Sequence, residues 1–254
     1  MNTRTKGIIT RKQAFIPATV VAVMLAASLS GCAAPAPQQE SGAASPAAQE
    51  SATAPAPVVS DNALPEEILN DTSADFEATE KSIADNLAST KTAVGDSYDT
   101  YVANKGAIND WIDSTQTATD ELFARTDDNS KRYFRALAKQ AQSDEKADLD
   151  KQMKAWYRAV YEDAFRDFYE AVHEDAYSDL FDTYYDGVLA DAFDSVSYSE
   201  ASAEHSAFYR AYSDGTRDLY RSYSDAMSDE YRMYSDVSSA FYKKNYDLND
   251  ILGE

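Results

Sequence analysis

The chain has two histidines, His173 and His205, that could take part in metal binding or acid–base chemistry. Glu170 precedes His173 by three residues, which is the Glu-x-x-His spacing of carboxylate-bridged di-metal helix bundles. Such a site needs the motif twice, and Ser202 occupies the glutamate position before His205. The His-Glu-x-x-His motif of zinc proteases also fails, because Tyr177 occupies the position of its second histidine. The histidines therefore predict no metal-dependent catalysis.

Four aspartates that follow His173 are the other candidates for metal binding. They are spaced i, i+4, i+7 and i+11 along the chain: Asp175, Asp179, Asp182 and Asp186. On a helix this spacing places the carboxylates on one face, and carboxylate oxygens bind divalent cations such as Ca²⁺. Like charges at this spacing also destabilise a helix slightly, and a run of acids is usually a solvated face. We expect no metal site and no cofactor, with these aspartates as candidates for loose cation binding only.

Other catalytic signatures are absent from the sequence. It has no Gly-x-Ser-x-Gly nucleophile elbow and no glycine-rich phosphate loop. Its single cysteine, Cys32, lies near the N-terminus, away from both histidines. The sequence therefore predicts a protein that is not an enzyme.

The N-terminus has basic residues, then a short apolar run, and then small residues before Cys32. The basic residues are Arg4, Lys6, Arg11 and Lys12. The apolar run covers residues 14–29, which is too short and wrongly flanked for a stable membrane span. This order is typical of an export signal, so we expect residues 1–31 to be a signal peptide.

The four residues Leu29, Ser30, Gly31 and Cys32 resemble the lipobox of bacterial lipoproteins, which has the form Leu-small-small-Cys. The resemblance implies that the Cys32 sulfur bears a diacylglyceryl group and that cleavage removes residues 1–31. It also implies an exported protein, anchored by lipid to the cell membrane or the outer membrane and facing away from the cytoplasm. An ordinary secretory signal that ends in cysteine is the alternative. A lipidated Cys32 would leave no cysteine for a disulfide.

Residues 32–60 have the composition of a disordered tether. Five of the seven prolines lie here: Pro35, Pro37, Pro46, Pro55 and Pro57. Alanine, serine and glutamine make up most of the remainder, so little apolar surface is available for a core. As a coil this length spans roughly 30 Å, which would hold residues 61–254 away from a bilayer.

Residues 61–254 have the pattern of an all-α domain. Pro65 is the last proline and suits the first turn of a helix, with Glu66 and Glu67 complementing the helix dipole. Apolar residues then recur with helical spacing: Phe76, Ile83, Leu87, Val94, Tyr98, Tyr101, Ile112 and Phe123. We predict one continuous helix over this region.

Three polar segments indicate where the remaining helices end. The cluster 126–130 is suited to ending the first helix and capping a second that begins near Lys131. Gly187 and the serines within 195–199 predict the next turn, and Ser197 with Glu200 has capping-box spacing. The predicted fold is an elongated antiparallel three-helix bundle or coiled coil.

The last helix contains tyrosines that recur every eleven residues over 198–246. One line comprises Tyr198, Tyr209, Tyr220, Tyr231 and Tyr242, and a second comprises Tyr212, Tyr223 and Tyr234. Eleven residues make about three helical turns, so each line stays on one side of a straight helix. A neighbouring apolar line, Phe208, Leu219 and Phe241, is interrupted by Glu230. We also predict helical ion pairs from Arg210, Arg221 and Arg232 to the aspartates four residues later, Asp214, Asp225 and Asp236.

Tyrosine rings at helical spacing have two interpretations. They can pack between helices with their hydroxyls at the solvated edge, or they can form a recognition face for a protein or a glycan. A second copy of the chain is a further candidate partner.

Charge restricts the choice of partners. Removal of residues 1–31 leaves 19 basic and 44 acidic residues, a net charge of −25. Residues 167–209 contain eleven acids and no lysine or arginine. Nucleic acid is therefore disfavoured as a partner.

The sequence favours a non-catalytic, lipid-anchored envelope protein that acts as a helical spacer, scaffold or binding module. One alternative is an amphipathic protein whose eleven-residue repeats lie on lipid, although the strong acidity would repel anionic membranes. The other is a helical bundle that binds divalent cations or a solute.

Overall fold

The computed structural model describes residues 63–144 and 148–253. Within these ranges the regular structure is helical, without a strand, and the all-α prediction is confirmed. The α-helices are α1 (Pro65–Val94), α2 (Tyr98–Asn104), α3 (Gly106–Ser143), α4 (Leu149–Trp156), α5 (Phe165–Tyr169), α6 (Ser178–Thr183), α7 (Leu189–Asp191), α8 (Tyr198–Tyr242) and α9 (Asn249–Leu252). The predicted signal peptide, the lipobox and the linker 32–60 lie outside the described residues.

A third long helical segment alternates between α- and π-helix. Three π segments interrupt it: π1 (Tyr157–Ala164), π2 (Glu170–Tyr177) and π3 (Tyr184–Val188). A 3₁₀ turn (Ala192–Asp194) ends it. We call residues 149–194, from the start of α4 to the end of this turn, the mixed helix.

The prediction of one helix running through Gly95 is wrong. Gly95 has a φ of 79°, outside the helical region, and it ends α1. A Cβ atom on Gly95 would lie 2.7 Å from Thr100 Oγ1, so the tight turn has no room for a side chain. Ser97 then caps α2, because its Oγ accepts from the Thr100 amide.

The predicted turn at 126–130 is also wrong, because these residues lie inside α3. Thr126 Oγ1 donates to the Leu122 carbonyl and Ser130 Oγ to the Thr126 carbonyl, each at 2.9 Å. The Thr126 hydroxyl is thereby satisfied within the helix, whereas the single hydroxyl proton of Ser130 is shared with the Glu230 carboxylate of α8 at 2.6 Å. Both side chains are buried. The helix ends at Ser143 instead, and the Asp148 carboxylate caps the next one by accepting from the Lys151 amide at 3.1 Å.

Core residues of the mixed helix recur every twelve positions. The three core lines are Met153, Phe165, Tyr177 and Leu189; then Trp156, Phe168, Leu180 and Ala192; then Val160, Val172 and Tyr184. Three turns of α-helix use about eleven residues, so a line with a twelve-residue repeat drifts off the core face. The π segments have wider turns that take up the extra residue and keep these side chains pointing inward.

Gly187 lies inside π3, so the turn predicted there is wrong. The turn before Ser197 is confirmed, since its Oγ accepts from the Glu200 amide at 3.3 Å.

The described residues form four long helical segments rather than the predicted three: α1, α3, the mixed helix and α8. The first two are antiparallel, since Trp111 Nε1 of α3 donates to the Ile83 carbonyl of α1 at 3.3 Å, whereas the later Arg125 of α3 contacts the earlier Asp75 of α1 at 3.3 Å. Both α1 and α8 pack against α3 and against the mixed helix, and side chains from all four segments share one core. The core is rich in rings, including the Phe123–Phe165 stack with centroids 5.1 Å apart.

A candidate binding face formed by α8 and the mixed helix

The first tyrosine line of α8 lies on its solvent-exposed side. The exposed fractions are 77% for Tyr198, 52% for Tyr209, 57% for Tyr220, 53% for Tyr231 and 91% for Tyr242. With a rise of about 1.5 Å per residue, successive rings are spaced roughly 16 Å apart along the helix. We call these five residues the outer row.

The second tyrosine line packs on the mixed helix and is half-buried. Ring centroids lie 4.8 Å apart for Tyr212 and Phe181, 4.6 Å for Tyr223 and Tyr169, and 4.8 Å for Tyr234 and Tyr157. We call Tyr212, Tyr223 and Tyr234 the inner row. The inner row therefore fits the interpretation of rings packed between helices, whereas the outer row faces solvent.

The contacts of the inner row repeat with different residue counts on the two helices. Partners on α8 are eleven residues apart, whereas Phe181, Tyr169 and Tyr157 on the mixed helix are twelve apart. Each step covers three turns, because π segments on the mixed helix accommodate one extra residue. Equal turns with unequal residue counts keep the two helices in register.

A second aromatic position on the mixed helix lies beside the outer row. Each mixed-helix partner of the inner row stacks on a ring four residues later in the chain. The ring centroids lie 4.4 Å apart for Phe181 and Tyr185, 4.8 Å for Tyr169 and His173, and 4.8 Å for Tyr157 and Tyr161. Tyr185 then contacts Tyr209 at 5.7 Å and Tyr161 contacts Tyr231 at 5.8 Å. The middle repeat has a histidine here, and His173 Nδ1 is buried with no hydrogen-bond partner among the described residues. Two members of the outer row, Tyr209 and Tyr231, thus rest on a second layer of rings.

Burial affects the pKa of four phenols of the inner row and its partners on the mixed helix. It is the main cause that raises the pKa of Tyr157, Tyr169, Tyr212 and Tyr223, and neighbouring phenols or carboxylates raise it further. The supporting layer therefore adds rings and hydroxyl groups to the face, but no negative charge near neutral pH.

The predicted ion pairs on α8 are wrong, because the paired arginines contact aspartates three residues before them, and Arg217 also contacts the adjacent Asp218 at 3.3 Å. Arg217 contacts Asp214 at 2.8 Å, and Arg232 contacts Asp229 at 3.4 Å. Arg221 likewise contacts Asp218 at 3.6 Å. Helical side chains lean toward the N-terminus, so a long arginine reaches the preceding turn.

The acids that were candidates for cation binding are not brought together as a metal site. Both carboxylate oxygens of Asp179 accept from Lys91 Nζ of α1, at 2.7 and 2.9 Å. No group of three metal-binding side chains forms among residues 63–144 and 148–253. The run also crosses π2 and π3, where the spacing of an α-helix does not hold.

A pocket of about 380 Å³ opens beside the repeat nearest the start of α8. Its walls are the rings of Tyr185, His205 and Tyr209, and its polar groups come from Ser206, Arg210, Ser213 and Asp214. Sequence reasoning did not identify Tyr185 as part of the face. The twelve-residue repeat of aromatic pairs in the mixed helix was the signal that could have found it.

Glu230 is buried where the sequence shows an interruption of an apolar line. Its side chain is 4% exposed, and it accepts from Ser130 Oγ at 2.6 Å and from Trp156 Nε1 at 2.7 Å. Burial raises the pKa of this carboxyl, and the two donated hydrogen bonds act in the opposite direction. A cavity of about 220 Å³ adjoins it, lined in part by Phe123, Phe165 and Asp127. Glu230 is therefore a polar group of the core rather than of the face.

In the part of the chain that the structure describes, no helix combines the length and apolar character needed to cross a membrane. Comparison with models of protein families, with curated protein sequences and with solved structures gives no match to this chain.

Proposed function

We propose that this protein is a non-catalytic, lipid-anchored protein of the cell envelope that binds a partner through the outer row of α8. The observation that carries the proposal is the row itself: five tyrosines on one side of one helix, each more than half exposed. Tyrosine presents a large, amphipathic contact area at low rotamer cost, and it is enriched in protein interfaces.

The packed rings behind the outer row favour a role in binding. Rings of the mixed helix that are stacked on their neighbours contact Tyr209 and Tyr231, so these exposed rings project from a packed surface. A packed surface loses little conformational freedom when a partner binds, which favours affinity.

The anchoring part of the proposal rests on the lipobox residues and on the composition of 32–60. An acylated Cys32 would hold the chain at a bilayer, and the tether would let the helical domain reach a partner some tens of ångströms away.

Fractionation of a bacterial host that expresses the full chain tests the anchoring. We expect the wild-type protein in the membrane fraction, labelled by radioactive palmitate, and Cys32→Ser unlabelled and released from the membrane. Labelling that survives Cys32→Ser, or an unlabelled wild type, would contradict the lipid anchor.

Co-sedimentation with isolated cell envelopes tests the binding face. The probe is the purified full chain with Cys32→Ser, which removes the lipid contribution. We expect Tyr209→Ser, Tyr220→Ser and Tyr231→Ser together to reduce the bound fraction about tenfold. The matched control replaces two exposed apolar residues outside α8, Leu64→Ser and Val102→Ser, and should bind as before. Equal binding by both sets would remove α8 as the interface.

Pretreatment of the envelopes identifies the class of partner. Loss of binding after proteinase indicates a protein, and loss after muramidase indicates a glycan. Sedimentation velocity of the chain alone reports self-association, which the same triple substitution should abolish if the partner is a second copy.

A further inference from the structure

The pocket beside Tyr209 has aromatic walls. Tyr185 and His205 lie with ring centroids 3.7 Å apart, and Tyr185 and Tyr209 with centroids 5.7 Å apart. Tyr209 is part of the outer row, whereas Tyr185 belongs to the mixed helix and His205 to the first turns of α8. Three rings from two helices therefore line a space large enough for a small organic group. Tyr185 contacts His205 and stacks on Phe181, and Tyr209 is the exposed ring of the three.

The aromatic surface continues beyond His205. Phe193 contacts His205 at 5.6 Å and Tyr198 at 5.6 Å, and both Phe193 and Tyr198 are exposed. The pocket thus lies in the most aromatic part of the face, where the mixed helix turns into α8.

This part of the face is also the most acidic. Three of its carboxylates are neutralised: Asp179 by Lys91, Glu204 by Lys105 at 2.6 Å, and Asp214 by Arg217 at 2.8 Å. Five exposed acids nearby in the chain form no ion pair among the described residues: Asp182, Asp186, Asp191, Asp194 and Glu200. Asp214 lines the pocket but is paired, so the negative potential comes from the five unpaired acids. The local potential therefore attracts cations.

Aromatic faces and acids together select an organic cation. The face of an aromatic ring is negative and attracts ammonium and guanidinium groups, most strongly when water is partly excluded. A bare metal ion fits poorly, because rings are not metal ligands and hard divalent cations require several oxygen ligands. The hydroxyls of Ser206 and Ser213 supply acceptors for the N–H groups of a cation.

We infer that this pocket binds an alkylammonium or guanidinium group. The inference deepens the proposed function and rests on it, since Tyr209 belongs to the outer row. The same chemistry has two sources, a free small cation or a lysine or arginine side chain of a partner protein.

Arg210 is the one cation in the lining of this pocket, and it provides an internal test. It forms no ion pair with the described residues, so its charge opposes a bound cation. Replacing it with glutamine keeps a side chain of similar length and removes the charge. A cation should then bind more tightly, whereas a neutral ligand should bind as before.

Titration of the full chain carrying Cys32→Ser, followed by isothermal calorimetry or NMR, tests the inference. The probes are choline and its neutral isostere 3,3-dimethylbutan-1-ol, at constant ionic strength. We expect choline to bind and the isostere to bind about fivefold more weakly or not at all. Tyr209→Ser should weaken choline binding about fivefold, and Arg210→Gln should strengthen it about threefold.

Tyr220→Ser is the matched control, because Tyr220 occupies the same place on α8 one repeat later and does not line this pocket. It should leave choline binding unchanged. Circular dichroism of each variant reports whether the helices are intact.

The two sources are separated by comparing arginine amide with an arginine tripeptide amide. Binding of the tripeptide more than tenfold tighter assigns the pocket to a partner side chain, and equal binding assigns it to a free cation. Equal binding of choline and its isostere, or no binding of any cation by a folded chain, would overturn the inference. The proposed function would survive that result if the triple tyrosine substitution still abolished envelope binding.

Discussion

The mixed helix and α8 both keep aromatic residues on one face over repeats of three turns, but they use different types of helix. Over three turns α8 uses eleven residues of regular α-helix, whereas the mixed helix uses twelve and includes a π segment. The aromatic partners coincide at every third turn, from Phe181 with Tyr212 to Tyr157 with Tyr234. Two helices therefore pack in register when their numbers of turns match, even when their residue counts differ.

Single-residue deletions should affect the two helices very differently, and this is the largest expected effect. Deleting the exposed Asp225 from α8 would rotate the residues on one side of it by about 100° relative to the other. The apolar line and both tyrosine rows would then leave their faces. We expect a loss of about 4 kcal/mol or more in the free energy of unfolding, measured by urea denaturation.

Deleting the exposed Glu162 from π1 is the matched test, since it also removes one acid. It leaves Val160 and Phe165 four residues apart, which a regular α-helix accommodates with both side chains in the core. We expect a loss below about 2 kcal/mol. Similar losses from the two deletions would show that the π segments are not absorbing an extra residue.

Gly215 of α8 is buried in close contact with α3 and the mixed helix. A Cβ atom there would lie 2.6 Å from Ile112 Cγ2 and 2.9 Å from the Tyr177 hydroxyl. Gly215→Ala should destabilise the fold by about 1–3 kcal/mol, although alanine favours a helix intrinsically. Gly106→Ala in α3 is the control, because nothing lies within 4 Å of its Cβ position, and thermal unfolding should show no loss there.

Glu230 joins α8 to the mixed helix by accepting from Trp156, and it gives the contact a pH dependence. Its pKa is raised above 4.5 by burial, so the folded chain binds this proton more tightly than the unfolded chain. Its contribution to stability is complete below about pH 4.5 and is lost as the pH rises through the raised pKa.

Urea denaturation between about pH 4 and 7 compares the wild type with Glu230→Gln. We expect the stability of the variant relative to the wild type to increase with pH, by roughly 1 kcal/mol over this range. A constant difference would mean that Glu230 titrates as it does in the unfolded chain.

The outer row should have the smallest effect on stability. Tyr220→Ser and Tyr231→Ser remove exposed rings, so each should change the free energy of unfolding by at most about 0.5 kcal/mol. Tyr223→Ser in the inner row removes a ring packed on Tyr169 and should cost about 1–2 kcal/mol. Equal costs for the two rows, measured in the same urea titration, would remove the distinction between support and binding face.

Much of the helical content could be predicted because its signals are local. The eleven-residue repeat, the Ser197 cap and the Pro65 start depend on neighbouring residues along one helix. The wrong prediction of a turn at 126–130 also has a local cause. The polar cluster 126–130 has the composition of a turn, yet the hydroxyls of Thr126 and Ser130 both donate to backbone carbonyls of α3.

The sequence by itself determined helicity, the lines of tyrosines along α8 and the strongly acidic charge, because these follow from composition and spacing. It also supplied the prediction of a lipid anchor at Cys32. Only the tertiary structure decided which tyrosine row faces solvent, where Glu230 lies and how π segments keep two helices in register. Exposure and register depend on which helix packs against which, and one helix's own periodicity does not contain that information.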